Sequence, residues 1–198
     1  MIKYSNGQTF TKKPNKSCKF SLKSSSFSHG NRGMNLEEDI NLSNEFYKQN
    51  NMCLITKRPT PINVVQVDYS KGAIITNAYF EKQSTTDYNG VYRGHYIDFE
   101  AKSTIKKTSF PLANISKHQI EHLKRVLEHG GIAFFIVEFA LLEKVYLIDA
   151  SYVINFYENG DRKSIPYNAF LENGHEIKKG YAPRLDYLSI IKEIYVNS

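Results

Sequence analysis

The sequence contains no tryptophan, only two cysteines and no long apolar run. Its longest wholly apolar stretch, Ile132 to Val137, is far shorter than the ~20 residues of a membrane-spanning helix. The first residues also lack the apolar segment of a signal peptide, so we expect no association with a membrane. Cys18 and Cys53 lie in a polar and an apolar context and form no evident disulfide framework. These absences favour a cytoplasmic protein in a reducing compartment.

Acidic residues are missing from positions 1–33, which hold seven Lys or Arg. The rest of the chain has 19 basic and 20 acidic residues, so the net charge of +6 comes from this leader. A leader rich in Ser, Lys and Asn buries too little apolar surface to order itself, yet its charge can neutralise phosphates. We predict a basic, disordered DNA-binding arm over 1–33, with a solubilising leader as the alternative, and a single domain over 34–198.

Hydrophobic periodicity and turn residues predict alternating strands and helices. The predicted helices cover about 35–49, 117–129 and 185–196, and the predicted strands 52–56, 62–69, 74–80, 84–92, 95–103, 132–139 and 144–149. This order implies an α/β fold in which helices pack against a mixed sheet. The hairpin over about 60–80, with its turn at Ser70-Lys71-Gly72, is inserted after a central strand, and we expect it to protrude.

The strand over 96–102 carries charge on one face. Its apolar face holds Ile97, Phe99 and Ala101, and its charged face holds Asp98, Glu100 and Lys102. A solvated strand face is the ordinary explanation for such a pattern. The position of the preceding turn decides whether these charges instead form a site.

Two turns are compatible with the hairpin that contains this strand. A turn at Asn89-Gly90 would separate Asp87 from Glu100 by roughly 26 Å, at ~3.3 Å per residue. A turn at Arg93-Gly94 would place Asp87 directly opposite Glu100 and Thr85 opposite Lys102, with Cβ atoms about 5 Å apart. Opposed carboxylates repel unless a cation lies between them, and Mg²⁺ prefers such hard oxygen ligands. Lys102 on the same face could then stabilise a phosphate undergoing hydrolysis.

Asp followed by Glu-x-Lys on adjacent strands is the pattern of the PD-(D/E)xK nucleases, which have the restriction-endonuclease-like fold. The chain also resembles the RecU-type Holliday junction resolvases over nearly all of its length after the leader. The segments that carry this resemblance are Asn31-Arg32-Gly33-Met34, Lys57-Arg58-Pro59-Thr60-Pro61, Ser84-Thr85-Thr86-Asp87-Tyr88-Asn89-Gly90, Tyr96-Ile97-Asp98-Phe99-Glu100-Ala101-Lys102, Thr108-Ser109-Phe110-Pro111-Leu112 and Gly180-Tyr181-Ala182-Pro183-Arg184-Leu185-Asp186-Tyr187.

The resemblance implies a homodimeric, Mg²⁺-dependent endonuclease, able to use Mn²⁺, that resolves four-way DNA junctions by symmetric paired nicks during recombination and repair. It further implies a mixed central sheet flanked by helices with an inserted β-hairpin stalk, and it suggests the RecA recombinase and a branch-migration complex as partners. Two other functions remain open: a non-catalytic junction-binding regulator of the recombinase, and a nuclease that cuts linear duplexes.

The resemblance also assigns residues to roles. The implied metal ligands are Thr85, Asp87, Glu100 and Gln119, the implied catalytic residues are Asp87, Glu100 and Lys102, and the implied DNA contacts are Arg32, Lys57, Arg58 and Lys71. Gln119 could instead complete a helix capping box with Ser116. Glu37 is either an accessory acid near the metal or a helix-start acid favoured by the dipole. The tip at Lys71 is shorter and less basic than expected for the family, which could weaken junction preference.

His118 and His122 have the i, i+4 spacing of a zinc-binding pair. No Glu follows the first His, and no cysteine cluster accompanies the pair. We therefore interpret both histidines as part of a solvated helix face.

Overall fold

The structure of the chain is a computed structural model, which describes residues 31–70, 72–80 and 85–196, with side chains from Leu36 onward. The longer helices are α1 (Asn31–Gln49), α2 (Lys117–Glu128), α3 (Ala150–Asn159), α4 (Tyr167–Asn173) and α5 (Tyr187–Ile191), the last continued by a π-helical turn, Lys192–Val196. The strands are β1 (Leu54–Lys57), β2 (Ile62–Asp68), β3 (Ile74–Phe80), β4 (Tyr88–Tyr92), β5 (His95–Thr104), β6 (Ser109–Pro111), β7 (Ile132–Phe139), β8 (Lys144–Asp149), β9 (Ser164–Pro166) and β10 (Gly174–Glu176). Short 3₁₀ helices cover Leu112–Asn114 and Ala140–Leu142.

Six strands form the central sheet in the order β1-β4-β5-β7-β8-β10. Neighbours β5 and β7 are parallel, and the other pairs are antiparallel, so the sheet is mixed. The parallel pair requires a crossover, which α2 provides. This architecture confirms the predicted α/β fold with a mixed central sheet flanked by helices.

Each face of the sheet packs against helices. All eight residues of β7 are buried, because the strand lies in the middle of the sheet and is covered on both sides. Phe99 of β5 and Phe134 of β7 stack on the face that packs against α1 and α5. Phe135 and Val137 pack on the other face with residues of α2, α3 and α4. Asp98, Glu100 and Lys102 point toward this second face, beneath α2.

The β2–β3 hairpin forms a separate two-stranded sheet. Nearly all of its side chains are exposed, including Tyr79 and Phe80, so it protrudes as predicted. The expectation that it follows a central strand is wrong, because β1 is at the edge of the sheet. Its register shifts between Val64 and Val67, which marks a bulge. The predicted turn residue Lys71 lies outside the described residues.

Two boundaries differ from the prediction by more than two residues. Helix α1 begins at Asn31 rather than near 35, so it includes three residues expected to belong to the arm; residues 1–30 lie outside the described part of the chain. Strand β4 begins at Tyr88 rather than near 84. No helix in the described part of the chain is long and apolar enough to span a membrane.

Candidate active site

The turn of the β4–β5 hairpin sets the geometry of the site. It lies at Arg93 and Gly94, whose φ angles of 48° and 85° are positive, as a type I′ turn requires. The alternative turn at Asn89-Gly90 is wrong, because both residues lie within β4. A Cβ atom on Gly90 would lie 2.1 Å from the carbonyl oxygen of Leu54. Glycine is therefore needed there because β1 approaches closely, and not because the chain turns.

This register brings two carboxylates together. Tyr88 pairs with Phe99, so Asp87, the residue before β4, lies beside Glu100. The backbone N–H of Asp87 donates to Glu100 Oε2 at 3.0 Å, and the N–H of Ala101 donates to Asp87 Oδ2 at 3.1 Å. Each carboxylate is thus held by the backbone of the opposite strand.

Both carboxylates line an open cleft of about 410 Å³ between the sheet and the start of α2. Its lining consists of Thr60, Asp87, Glu100, Lys102, Ala113, Asn114, Ser116 and Gln119. The structure therefore brings together four of the predicted site residues. Thr60, Asn114 and Ser116 add polar groups that sequence reasoning did not assign to the site, since they come from two connecting segments outside the predicted strand pair.

Glu100 is the most perturbed acid of the cleft. Its side chain is fully buried, and its pKa is raised from 4.5 to about 7, first by burial and then by the negative charge of Asp87. Lys102 opposes this shift because its Nζ lies 2.7 Å from Glu100 Oε1. The site is therefore short of positive charge, which a bound cation would supply.

Gln119 has the capping role that the sequence left open, and it also contacts Glu100. Its Oε1 accepts a hydrogen bond from the backbone N–H of Ser116 at 3.0 Å, which completes the predicted capping box. This contact fixes the orientation of the amide, because only the oxygen can accept. The Nε2 group consequently points at Glu100 Oε1 and donates to it. In this conformation the amide nitrogen of Gln119 positions the Glu100 carboxylate, and the amide oxygen caps α2.

Two other candidates do not line the cleft. Thr85 is exposed, and the expected pairing with Lys102 is not found, because the ladder ends where Tyr88 pairs with Phe99. Glu37 on α1 forms an ion pair with Lys57. Neither residue is among those that line the cleft.

The donor set of the cleft fits Mg²⁺. Asp87 and Glu100 offer hard carboxylate oxygens, and the pKa of Glu100 is raised first by burial and then by the charge of Asp87, so a bound cation would stabilise the ionised form of Glu100. Within the described residues no cluster contains three or more His, Cys, Asp or Glu side chains. Two carboxylates suit a cation that keeps several of its waters, whereas a fully protein-ligated zinc site would need more donors.

Comparison with known proteins identifies the family. The family model described as recombination protein U, RecU, matches residues 31–193. The chain belongs to the RecU family. Proteins named Holliday junction resolvase RecU from Geobacillus sp. (strain WCH70), Geobacillus kaustophilus (strain HTA426) and Bacillus cytotoxicus are 51%, 48% and 46% identical, and each alignment covers 98% of this chain and 98% of the relative.

Among solved structures, Archaeoglobus fulgidus Hjc, a Holliday junction resolvase, is similar to this RecU family chain with a TM-score of 0.43 and 11% identity. The similarity covers 71% of this chain and 93% of Hjc.

A buried polar cluster next to the RecU cleft was not predicted. Asp98 is fully buried and accepts hydrogen bonds from side chains on three other segments. Its partners are Arg58, Thr86, Tyr96 and His122, with Tyr96 Oη at 2.8 Å and His122 Nε2 at 2.9 Å. The interpretation of His122 as part of a solvated face is therefore wrong. A signal was present, since His122 stands three residues after Gln119 and four before buried Val126.

Two of the predicted DNA contacts of this RecU chain, Lys57 and Arg58, have described side chains, and both residues lie beside the cleft. Lys57 pairs with Tyr88 in the β1–β4 ladder, and the backbone N–H of Arg58 donates to the carbonyl of Asp87 at 2.7 Å. The base of the protruding hairpin is thus attached to the strand that carries the first carboxylate. For Arg32 the structure describes only the backbone, within α1, and Lys71 lies outside the described residues.

Proposed function

We propose that this RecU family chain is an Mg²⁺-dependent endonuclease that resolves four-way DNA junctions by paired, symmetric nicks. The observation that carries the proposal is the convergence of Asp87, Glu100 and Lys102 in one open cleft. Relatives that match over 98% of their length are named Holliday junction resolvases, which supports the choice of substrate.

Asp87 and Glu100 would hold the metal ion. When bound, Mg²⁺, or Mn²⁺ in its place, would supply Lewis acidity and lower the pKa of a water that attacks the phosphodiester. Lys102 lies 2.7 Å from Glu100, where its ammonium can stabilise charge that develops on the phosphate. Gln119 and the backbone N–H of Asp87 orient the Glu100 carboxylate toward the cleft.

Junction binding is assigned to residues at the base of the hairpin and to basic residues beyond it. Lys57 and Arg58 lie next to Asp87 in the ladder, so they can contact phosphates near the scissile bond. Arg32, Lys71 and the basic arm over 1–33 are proposed to add further phosphate contacts, and Glu37 stays an accessory candidate through its pair with Lys57. The protruding hairpin would reach the junction centre.

Symmetric nicking of two strands requires two cleavage sites, and we therefore propose a homodimer. We also propose, from the family alone, that the protein acts with the RecA recombinase and a branch-migration complex. We propose Thr85 as a metal ligand only in a DNA-bound state, in which the segment before β4 would move toward the cleft.

Cleavage of a labelled four-way junction and of a matched linear duplex, with and without Mg²⁺, tests this function. We expect Asp87→Ala to lower the junction cleavage rate on the order of a thousandfold while junction binding persists, because the loss falls on charge stabilisation in the transition state. Asp161→Ala, which removes an exposed acid in a loop, is the matched control.

Three outcomes would contradict the proposal in different ways. Binding without cleavage by the wild-type protein would favour the regulator of the recombinase. Cleavage of the linear duplex at the same rate as the junction would favour a duplex nuclease. Equal cleavage by Asp87→Ala and the wild type would remove the cleft from the mechanism.

A further inference from the structure

We propose that one face of α2 binds the DNA backbone beside the cleft and that a cavity at the end of this face receives a phosphate. This inference rests on the proposed nuclease function, because it concerns the same substrate. The face, which we term the α2 stripe, consists of His118, His122, Arg125 and His129 at spacings of four, three and four residues. Residues at these spacings share one side of a helix.

The α2 stripe differs from the neighbouring face of the same helix. The neighbouring face alternates Lys117, Glu121, Lys124 and Glu128, and three of its four charges are already paired: Lys117 with Glu121, and Lys124 with Glu158 on α3. The α2 stripe contains no acid, and Arg125 and His129 are exposed. Only the α2 stripe therefore combines unbalanced positive charge with donors for an anion.

A cavity of about 570 Å³ lies at the end of the α2 stripe. It is lined by Gly94, His95, Tyr96, His122, Arg125, Val126, His129, Gly130 and Gly131, without an acidic residue. A guanidinium can bind phosphate oxygens in a bidentate manner, and even a neutral imidazole donates one N–H. Gly94 and Gly130 border open space, so no side chain obstructs the cavity there and a phosphate on a bulky backbone can enter.

The position of the cavity relative to the cleft matches the DNA backbone. From Gln119 to Arg125 and His129 the helix rises about 9 and 15 Å, at 1.5 Å per residue. One strand of B-form DNA carries a phosphate per ~3.4 Å of axis, so a phosphate in the cavity would lie about three to four nucleotides from the scissile bond. Both sites lie on the α2 side of β5, and His122 lies between them, held by Asp98.

The C-terminal end of a helix ordinarily disfavours an anion because its free carbonyls carry partial negative charge. Here those carbonyls are largely occupied. The carbonyl of Arg125 accepts from the N–H of His129 at 3.1 Å, that of Val126 from Gly131 at 2.9 Å, and that of Leu127 from Gly130 at 3.0 Å. At the C-terminal end of α2, an anion would therefore meet the side chains of Arg125 and His129 and few free carbonyls.

Binding measurements on catalytically inactive protein test the α2 stripe. In an Asp87→Ala background, we expect Arg125→Ala with His129→Ala to weaken binding to a four-way junction about tenfold and to reduce the salt slope of log K by about one. A linear duplex should show the same loss, because a backbone contact in a duplex arm does not depend on the branch point. Lys124→Ala in the same background is the matched control, since it removes one positive charge from the other face of α2 and should leave affinity within about twofold.

Arg125→Glu provides a second variant at an exposed position, where misfolding is not expected, and should weaken binding more than the alanine changes. Equal affinities and salt slopes for the Arg125 variants and Lys124→Ala would overturn the proposal. Because these assays measure binding without cleavage, their failure is distinguishable from failure of the nuclease function.

Discussion

Glu100 should make the metal-free protein less stable as the pH rises. Its pKa is raised to about 7 in the folded chain from an ordinary 4.5, so between these values the folded protein holds a proton that the unfolded chain has released. The free energy of unfolding then falls by about 1.4 kcal/mol per pH unit over this window, or on the order of 3 kcal/mol in all. Above about pH 7 both states are ionised, and this contribution becomes constant.

Urea unfolding at several values between pH 5 and 8, with a chelator present, measures this effect. The window avoids the lowered pKa of Asp98, whose stabilising effect is lost only below about pH 3.8. Glu100→Gln cannot ionise, so its stability should lack the decrease between pH 5 and 7. When the chelator is replaced by Mg²⁺, the free energy of unfolding of the wild type at pH 8 should rise, and that of Glu100→Gln should not change. Parallel pH profiles for the two proteins would refute the reasoning, because burial of the Glu100 charge would then cost nothing measurable.

Four further substitutions test parts of the fold that support the cleft, each by urea unfolding at pH 7. Gly90→Ala should destabilise the chain by about 2 kcal/mol or more, since its Cβ would overlap the Leu54 carbonyl. The control Gly94→Ala has open space around it and a φ of 85°, and it should cost about 1 kcal/mol. Equal losses of stability for the two variants would contradict the close approach of β1. Asp98→Ala should cost about 3 kcal/mol, because four side-chain donors lose a buried acceptor, and a loss below about 1 kcal/mol would contradict this role. Tyr47→Phe removes a buried hydroxyl that donates to the Leu185 carbonyl at 2.9 Å and should cost about 1 kcal/mol, and no change would show that the bond contributes nothing net.

The sequence was sufficient to predict the sheet, the protruding hairpin and the pair of acids. Strict alternation in β5 fixed which side chains share a face, and the opposition of Asp87 and Glu100 followed once the turn was placed at Arg93-Gly94. The sequence could not choose that turn, because Asn89-Gly90 has equally good local turn chemistry. The choice depends on β1, which needs a glycine at position 90 and comes from a distant part of the chain.

The cluster around Asp98 shows the limit of local patterns. Its partners Arg58 and His122 are 40 and 24 residues away. The pairing of β1 with β4 and of β4 with β5 brings Arg58 to Asp98, and the packing of α2 against β5 brings His122. The shortened β4 has a related cause. Thr86 donates its hydroxyl to Asp98, so the segment before Asp87 follows side-chain contacts instead of extending the ladder to Thr85.

The parallel pairing of β5 with β7 also determines when the protein becomes able to cut. The β4–β5 hairpin closes through a two-residue turn and can form within microseconds, so both acids meet early. Pairing of Ile97 with Ile132 must instead close a loop across 35 residues, and α2 takes its place only with that closure. A chain still being synthesised would therefore carry the two carboxylates without α2 packed beside them. Such a chain would become able to cleave DNA only after the ribosome has released the whole of β7.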